Sequence, residues 1–244
     1  MEANSPDIKI KTGARFVAPL QTAIGASVAV LGVSVIIGWH TGNQILAYLS
    51  PLFAAPMGYN TAVCFFITGI SFLFLVGNRK RIAGVGGAIV AGFGALTLAQ
   101  YLFAVNLGID GLLFKSEMIA ATAAVSRMAP NTALCFILCG AAFVFLSGRS
   151  RLFHAIAAAL GAIVAVISII ALGGYLAGLP AAYTWGSLRQ MALATAAGFS
   201  IVGAGLILRR WSETSKDDPS TPYLLPVILT VSPSDSAPPP PELP

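Results

Sequence analysis

Apolar positions along this chain gather into six long uncharged runs, at residues 16–38, 58–77, 82–104, 129–147, 152–174 and 190–208. Charged positions are confined to the segments outside them. Each run holds 19–23 residues, mainly Leu, Ile, Val, Phe, Ala and Gly. About 20 such residues cross a bilayer as a helix. In lipid every backbone N–H and C=O must be paired within the chain, so the runs are predicted as transmembrane helices. The pattern predicts an all-α polytopic membrane protein with six spans.

A second pattern lies on top of the first. The form M-x-x-[NA]-T-A-x-[CG]-F-x-x-x-G opens every second run. Its copies are Met57, Asn60, Thr61, Ala62, Cys64, Phe65, Gly69; Met128, Asn131, Thr132, Ala133, Cys135, Phe136, Gly140; and Met191, Ala194, Thr195, Ala196, Gly198, Phe199, Gly203. They recur at offsets of 71 and 63 residues. Self-similarity at such a period predicts a repeated supersecondary unit. Here that unit is a helical hairpin, repeated at about 16–77, 82–147 and 152–208. Within each copy Thr, Phe and Gly stand at i, i+4 and i+8, so they share one helix face, and small residues on such a face let helices approach closely in lipid.

Charge then sets the orientation. Eleven of the 14 basic residues (Lys9, Lys11, Arg15, Arg79, Lys80, Arg81, Arg149, Arg151, Arg209, Arg210, Lys216) fall on one side of the six spans. Only Lys115, Arg127 and Arg189 fall on the other. The positive-inside rule predicts that both termini are cytoplasmic. Residues 1–15 read as a cytoplasmic tail, 16–210 as the membrane domain, and 211–244 as a disordered Pro/Ser-rich cytoplasmic tail. The middle outer loop, Leu112 to Arg127, is apolar enough to lie as a short helix in the interface.

Composition agrees. The chain has 57% hydrophobic and 9% charged residues with a mean hydropathy of +0.83, whereas a soluble domain carries about 25% charged residues. The net charge of +5 comes from topology-setting clusters and does not point to nucleic acid. Cys64, Cys135 and Cys139 all sit inside apolar runs and suggest structural thiols. No Asp, Glu, Lys or Arg lies within a predicted span, which argues against proton-coupled transport. His40 and His154 are predicted at opposite surfaces, so they do not converge on one cofactor. No P-loop, HExxH, GxSxG or kinase glycine box occurs. No enzymatic activity, metal or cofactor is expected.

The candidate site residues are Met57, Asn60, Thr61, Asp110, Arg127, Met128, Asn131, Thr132, Arg189, Met191 and Thr195. The motif reads first as a helix N-cap plus packing face, with Asn or Thr accepting free N–H groups after Pro130. The sharper alternative has three motif ends converging on an outer pocket. There the three methionines would meet, and a soft Cu(I) site is conceivable, although Met is also an ordinary gap filler. Asp110 is read as a cap of the loop helix, as an ion-pair partner of Arg127 or Arg189, or as a ligand contact.

Gly174-Tyr-Leu-Ala-Gly-Leu-Pro-Ala-Ala-Tyr183 followed by Met191-Ala-Leu-Ala-Thr-Ala196 resembles the N-terminal multi-helix membrane region of bacterial sensor proteins. Leu107-Gly-Ile-Asp-Gly-Leu-Leu-Phe114 with the motif at 127–136 fits the same pattern. In such proteins this region precedes PAS, histidine-kinase or diguanylate-cyclase modules. The resemblance covers about residues 15–210 and implies a sensory input or anchoring module of the bacterial inner membrane. No phospho-acceptor His box, ATP site or GGDEF loop follows here, so the expectation is a truncated sensor or a module working with a separate cytoplasmic signalling protein. The expected partners are the lipid bilayer, that signalling protein and a second copy of the chain, with no nucleic acid. The rival readings are a small-solute channel or transporter and a membrane redox subunit.

Overall fold

Each apolar run becomes a helix. The computed structural model describes residues 6–48, 56–111, 127–186 and 188–217, and among these it is helical with no strand. In chain order the helices are α1 (Pro6–Thr41), α2 (Gln44–Tyr48), α3 (Tyr59–Val76), α4 (Lys80–Leu102), α5 (Pro130–Ser147), α6 (Arg151–Ala177) and α7 (Leu193–Asp217). All but α2 are long and apolar enough to cross a membrane. The protein is therefore read as a multi-pass membrane protein.

Two terminal boundaries differ from expectation. The helix of the first span begins at Pro6 and takes in most of the expected tail 1–15. Pro suits a first helical turn, and the Lys and Ile residues behind it propagate the helix. At the other end α7 runs to Asp217 and not to about 210. The first strong stop beyond the span is Pro219, which biases the residue before it away from helix. The rest of the expected tail and the expected loop helix, at 218–244 and 112–126, lie outside the described residues.

The turns at the basic end are tight. After α3, the N–H groups of Gly77, Asn78 and Arg79 bond back to carbonyls of Leu73, Leu75 and Phe74. Asn78 takes φ 61°, a left-handed conformation Asn tolerates better than most residues. That reverses the chain into α4 within three residues. After α5, the His154 ring meets the Gly148 carbonyl at 3.1 Å and bridges the turn into α6.

Helices α3, α5 and α7, which carry the motif, lie inside. About 56%, 61% and 50% of their spans are buried, against 33% for each of α1, α4 and α6. Each inner helix packs most extensively on the outer helix before it: α3 on α1, α5 on α4, α7 on α6. The motif glycine sits at each crossing. A Cβ at Gly69 would strike the Ala29 backbone, at Gly140 the Gly87 carbonyl, and at Gly203 the Gly161 carbonyl.

The centre of the bundle is aromatic. Phe65, Phe136 and Phe199 meet pairwise, with centroids 5.0, 4.8 and 4.7 Å apart, and all are fully buried. Seven residues on, Phe72, Phe143 and Leu206 form the next buried level. At the level below, Leu75 and Leu146 are matched in α7 by Arg209. Sequence placed Arg209 with the basic residues of one side; it sits at that end of the bundle but is buried, 9% exposed, with Nη1 donating to Gln21 Oε1 on α1 at 3.3 Å. Gln21 Nε2 in turn donates to Ser212 Oγ at 3.2 Å.

Candidate functional site at the motif end

Each motif begins with a buried methionine whose carbonyl is held by an aromatic donor from the preceding outer helix. Trp39 Nε1 donates to the Met57 carbonyl at 2.9 Å, Tyr101 Oη to Met128 at 3.0 Å, and Tyr175 Oη to Met191 at 2.6 Å. Trp and Tyr suit this role because a large apolar ring ends in one polar group. Sequence reasoning did not single out these three donors. Their signal was a Trp or Tyr near the end of each outer helix, where interfacial aromatics gather.

The N-cap reading of the motif holds only in part. The N-cap positions of α3 and α5 are Gly58 and Ala129, which carry no capping side chain, and of the two motif asparagines Asn131 alone accepts a first-turn N–H, that of Thr132. The amide Nδ2 groups of both asparagines reach away from their own helices. Asn60 Nδ2 donates to the carbonyls of Ile109 at 3.1 Å and Asp110 at 3.4 Å, in the loop before α5. Asn131 Nδ2 donates to the Tyr183 carbonyl at 3.1 Å, in the loop before α7. Tyr183 also accepts the Met191 N–H at 2.9 Å, and its ring stacks on Tyr175 at 3.9 Å. Each asparagine thus ties its helix to the loop of the next helix pair. The third copy has Ala194 at this position and no such side chain. Asn131 Oδ1 accepts the Thr132 N–H at 2.9 Å, whereas among the described residues no donor meets the buried Asn60 Oδ1.

The charged candidates converge. Arg127 Nε lies 2.7 Å from Asp110 Oδ2, so the ion-pair reading of Asp110 is the one observed. Gln100 Nε2 approaches both carboxylate oxygens at 3.4 and 3.5 Å, while Gln100 Oε1 accepts the Leu107 N–H at 2.9 Å. The Arg127 guanidinium lies 5.6 Å from the Tyr101 ring centroid, within cation–π range. Arg189 feels the same charges electrostatically. Burial pulls its guanidinium below the ordinary arginine value, and nearby Tyr101 and Asp110 oppose that shift.

Of the sequence-derived residues, Asp110 and Arg127 therefore gather with Gln100 and Tyr101 at the loop of the second helix pair, and Arg189 lies within electrostatic reach of Tyr101 and Asp110. Asn60 and Asn131 brace adjacent loops. Met57, Met128, Met191, Thr61, Thr132 and Thr195 are buried at the heads of the inner helices. Among the described residues, Arg127 and Arg189 set two guanidinium groups against the one carboxylate of Asp110. No family model, curated protein or solved structure matches this chain.

Proposed function

We propose that this protein is a non-enzymatic sensory input module of the bacterial inner membrane. It consists of three helical hairpins in pseudo-threefold array with both termini in the cytoplasm. The observation that carries the reading is the pair of asparagine bridges from Asn60 and Asn131 to the loop of the following helix pair. A ligand that displaces such a loop pulls on a neighbouring inner helix, and interlocked helices respond by shifting as units. The ligand end is the Asp110–Arg127–Arg189 cluster, whose excess positive charge suits an anionic or carbonyl-bearing molecule. The response leaves at the basic end toward a separate cytoplasmic signalling protein. The phenylalanine triangle fills the axis that a central solute channel would need, which favours this reading over the channel.

The test is a distance measurement across the bundle. Spin labels at Asn78 and Arg149 report the basic end, and Asp110→Asn perturbs the motif end. Input-module behaviour gives a label separation changed by about 1–2 Å, the size of a helix shift. A cross-linker at Arg210 captures a kinase- or cyclase-type protein. Unchanged separations together with specific solute uptake by proteoliposomes would overturn the reading in favour of a channel.

A further inference from the structure

A cleft of about 820 Å³ opens at the basic end, far from the asparagine bridges. It is lined by Asn78, Arg79, Lys80, Arg81 and Ile82 from the α3–α4 turn, and by Ser147 and Arg149 from the α5–α6 turn. Four of these seven residues are cationic and none is acidic. Helix α4 begins at the cleft without a side-chain cap, which adds the positive end of its dipole.

The surroundings of the cleft narrow the choice of occupant. Ile82, Val85 and Ile89 stand at i, i+3 and i+7 on α4 and are 45%, 61% and 54% exposed. Leu152 and Phe153 at the start of α6 are exposed as well. An apolar strip therefore leads out of a basic cleft along a membrane-spanning helix. A soluble anion uses the cations and leaves the strip idle. A phospholipid with a net negative headgroup uses both, with phosphate among the arginines and acyl chain on the strip. Basic pockets of this kind at helix ends suit anionic headgroups.

We propose that this cleft is a specific binding site for an anionic phospholipid, held by Arg79, Arg81 and Arg149. The proposal does not depend on the sensory reading.

Native mass spectrometry of the full chain tests it, with the delipidated protein titrated with phosphatidylglycerol, phosphatidylcholine or inorganic phosphate. The expected result is retained phosphatidylglycerol, with little phosphatidylcholine and no effective competition by phosphate. Each basic group near an anionic lipid contributes about fivefold, so Arg79→Gln/Arg81→Gln/Arg149→Gln weakens retention roughly 100-fold. The matching triple lysine variant retains binding. Equal retention of both lipids by the wild-type chain would overturn the proposal without recourse to any variant. So would full displacement by phosphate, which would make the site one for a free anion, or undiminished retention by the glutamine variant.

Discussion

At the scale of single residues, the Asp110 carboxylate is the junction of the motif end. It takes the Arg127 guanidinium at 2.7 Å, with side chains 28% and 13% exposed for Arg127 and Asp110. Exposed pairs contribute about 0–1 kcal/mol and losing one partner of a buried pair costs about 3–5 kcal/mol. This partly covered pair falls between them. Asp110→Ala is expected to cost about 1–2 kcal/mol, read by reversible unfolding in detergent, with Arg127→Ala giving a similar loss and the double variant less than the sum. A loss below what noise resolves in both single variants would show that solvent already screens the pair. The charge partners were legible in the sequence because Asp110, Arg127 and Arg189 are scarce ions on a side otherwise poor in charge. The asparagine role was not. A residue at a helix start signals a cap by local rules, and only the neighbouring loop, 49 residues away for Asn60 and Ile109, reveals the tertiary use. The carbonyl donors Trp39, Tyr101 and Tyr175 were hidden for the same reason, since a hydrogen bond to a distant backbone leaves no mark at the donor.

At the scale of helices, close approach at glycine organises the inner and outer pairs. The motif gave this away in advance, because a small residue eight positions after Thr on a shared face has little use except contact. Gly140→Val places methyl groups against the Gly87 carbonyl and Ala91. Overpacking of this kind costs about 1–3 kcal/mol, so a lower unfolding midpoint is expected. Gly92 on α4 has no neighbouring atoms near an added Cβ. Gly92→Ala is expected to leave stability unchanged or raise it by up to about 1 kcal/mol, because Ala exceeds Gly in helix propensity, and an equal drop in both variants would mean that close approach at the Gly140 crossing is not what the valine disrupts. The Arg209 level makes a second case. Burial of a charged group is often no better than an apolar replacement, and the equivalent positions on α3 and α5 already hold Leu75 and Leu146. The double variant Gln21→Leu/Arg209→Leu is expected to unfold no earlier than wild type. A clear loss would show that the Gln21–Arg209 bond anchors α1. Sequence reading placed Arg209 with the topology-setting cations because an Arg after an apolar run ordinarily ends it.

At the scale of the whole molecule, six spans were legible because apolar length is set by bilayer thickness and needs no tertiary knowledge. The inward position of α3, α5 and α7 was legible only through the motif, since outer and inner helices are both apolar throughout. Hydropathy cannot tell a lipid-facing leucine from a core one. The membrane orientation rests on the uneven distribution of basic residues, 11 of 14 on one side, and labelling tests it directly. Cys64, Cys135 and Cys139 are buried, so they leave a low background for a membrane-impermeant maleimide. Single cysteines at exposed Asn78 and Arg149 mark the two turns at the basic end, and exposed Leu107 and Leu188 mark the motif end. Cytoplasmic termini require Leu107→Cys and Leu188→Cys to react in intact cells, and Asn78→Cys and Arg149→Cys only after permeabilisation. The opposite pattern would invert the protein and put the Asp110 cluster in the cytoplasm, where it could not read an external ligand. Asn78 and Arg149 on different sides would break the hairpin arrangement itself, because an odd number of crossings would then separate two turns that line one cleft. The shared lining of that cleft by both turns makes the first outcome the one the geometry requires for these two positions relative to each other, and leaves the label to decide only which side of the membrane they share.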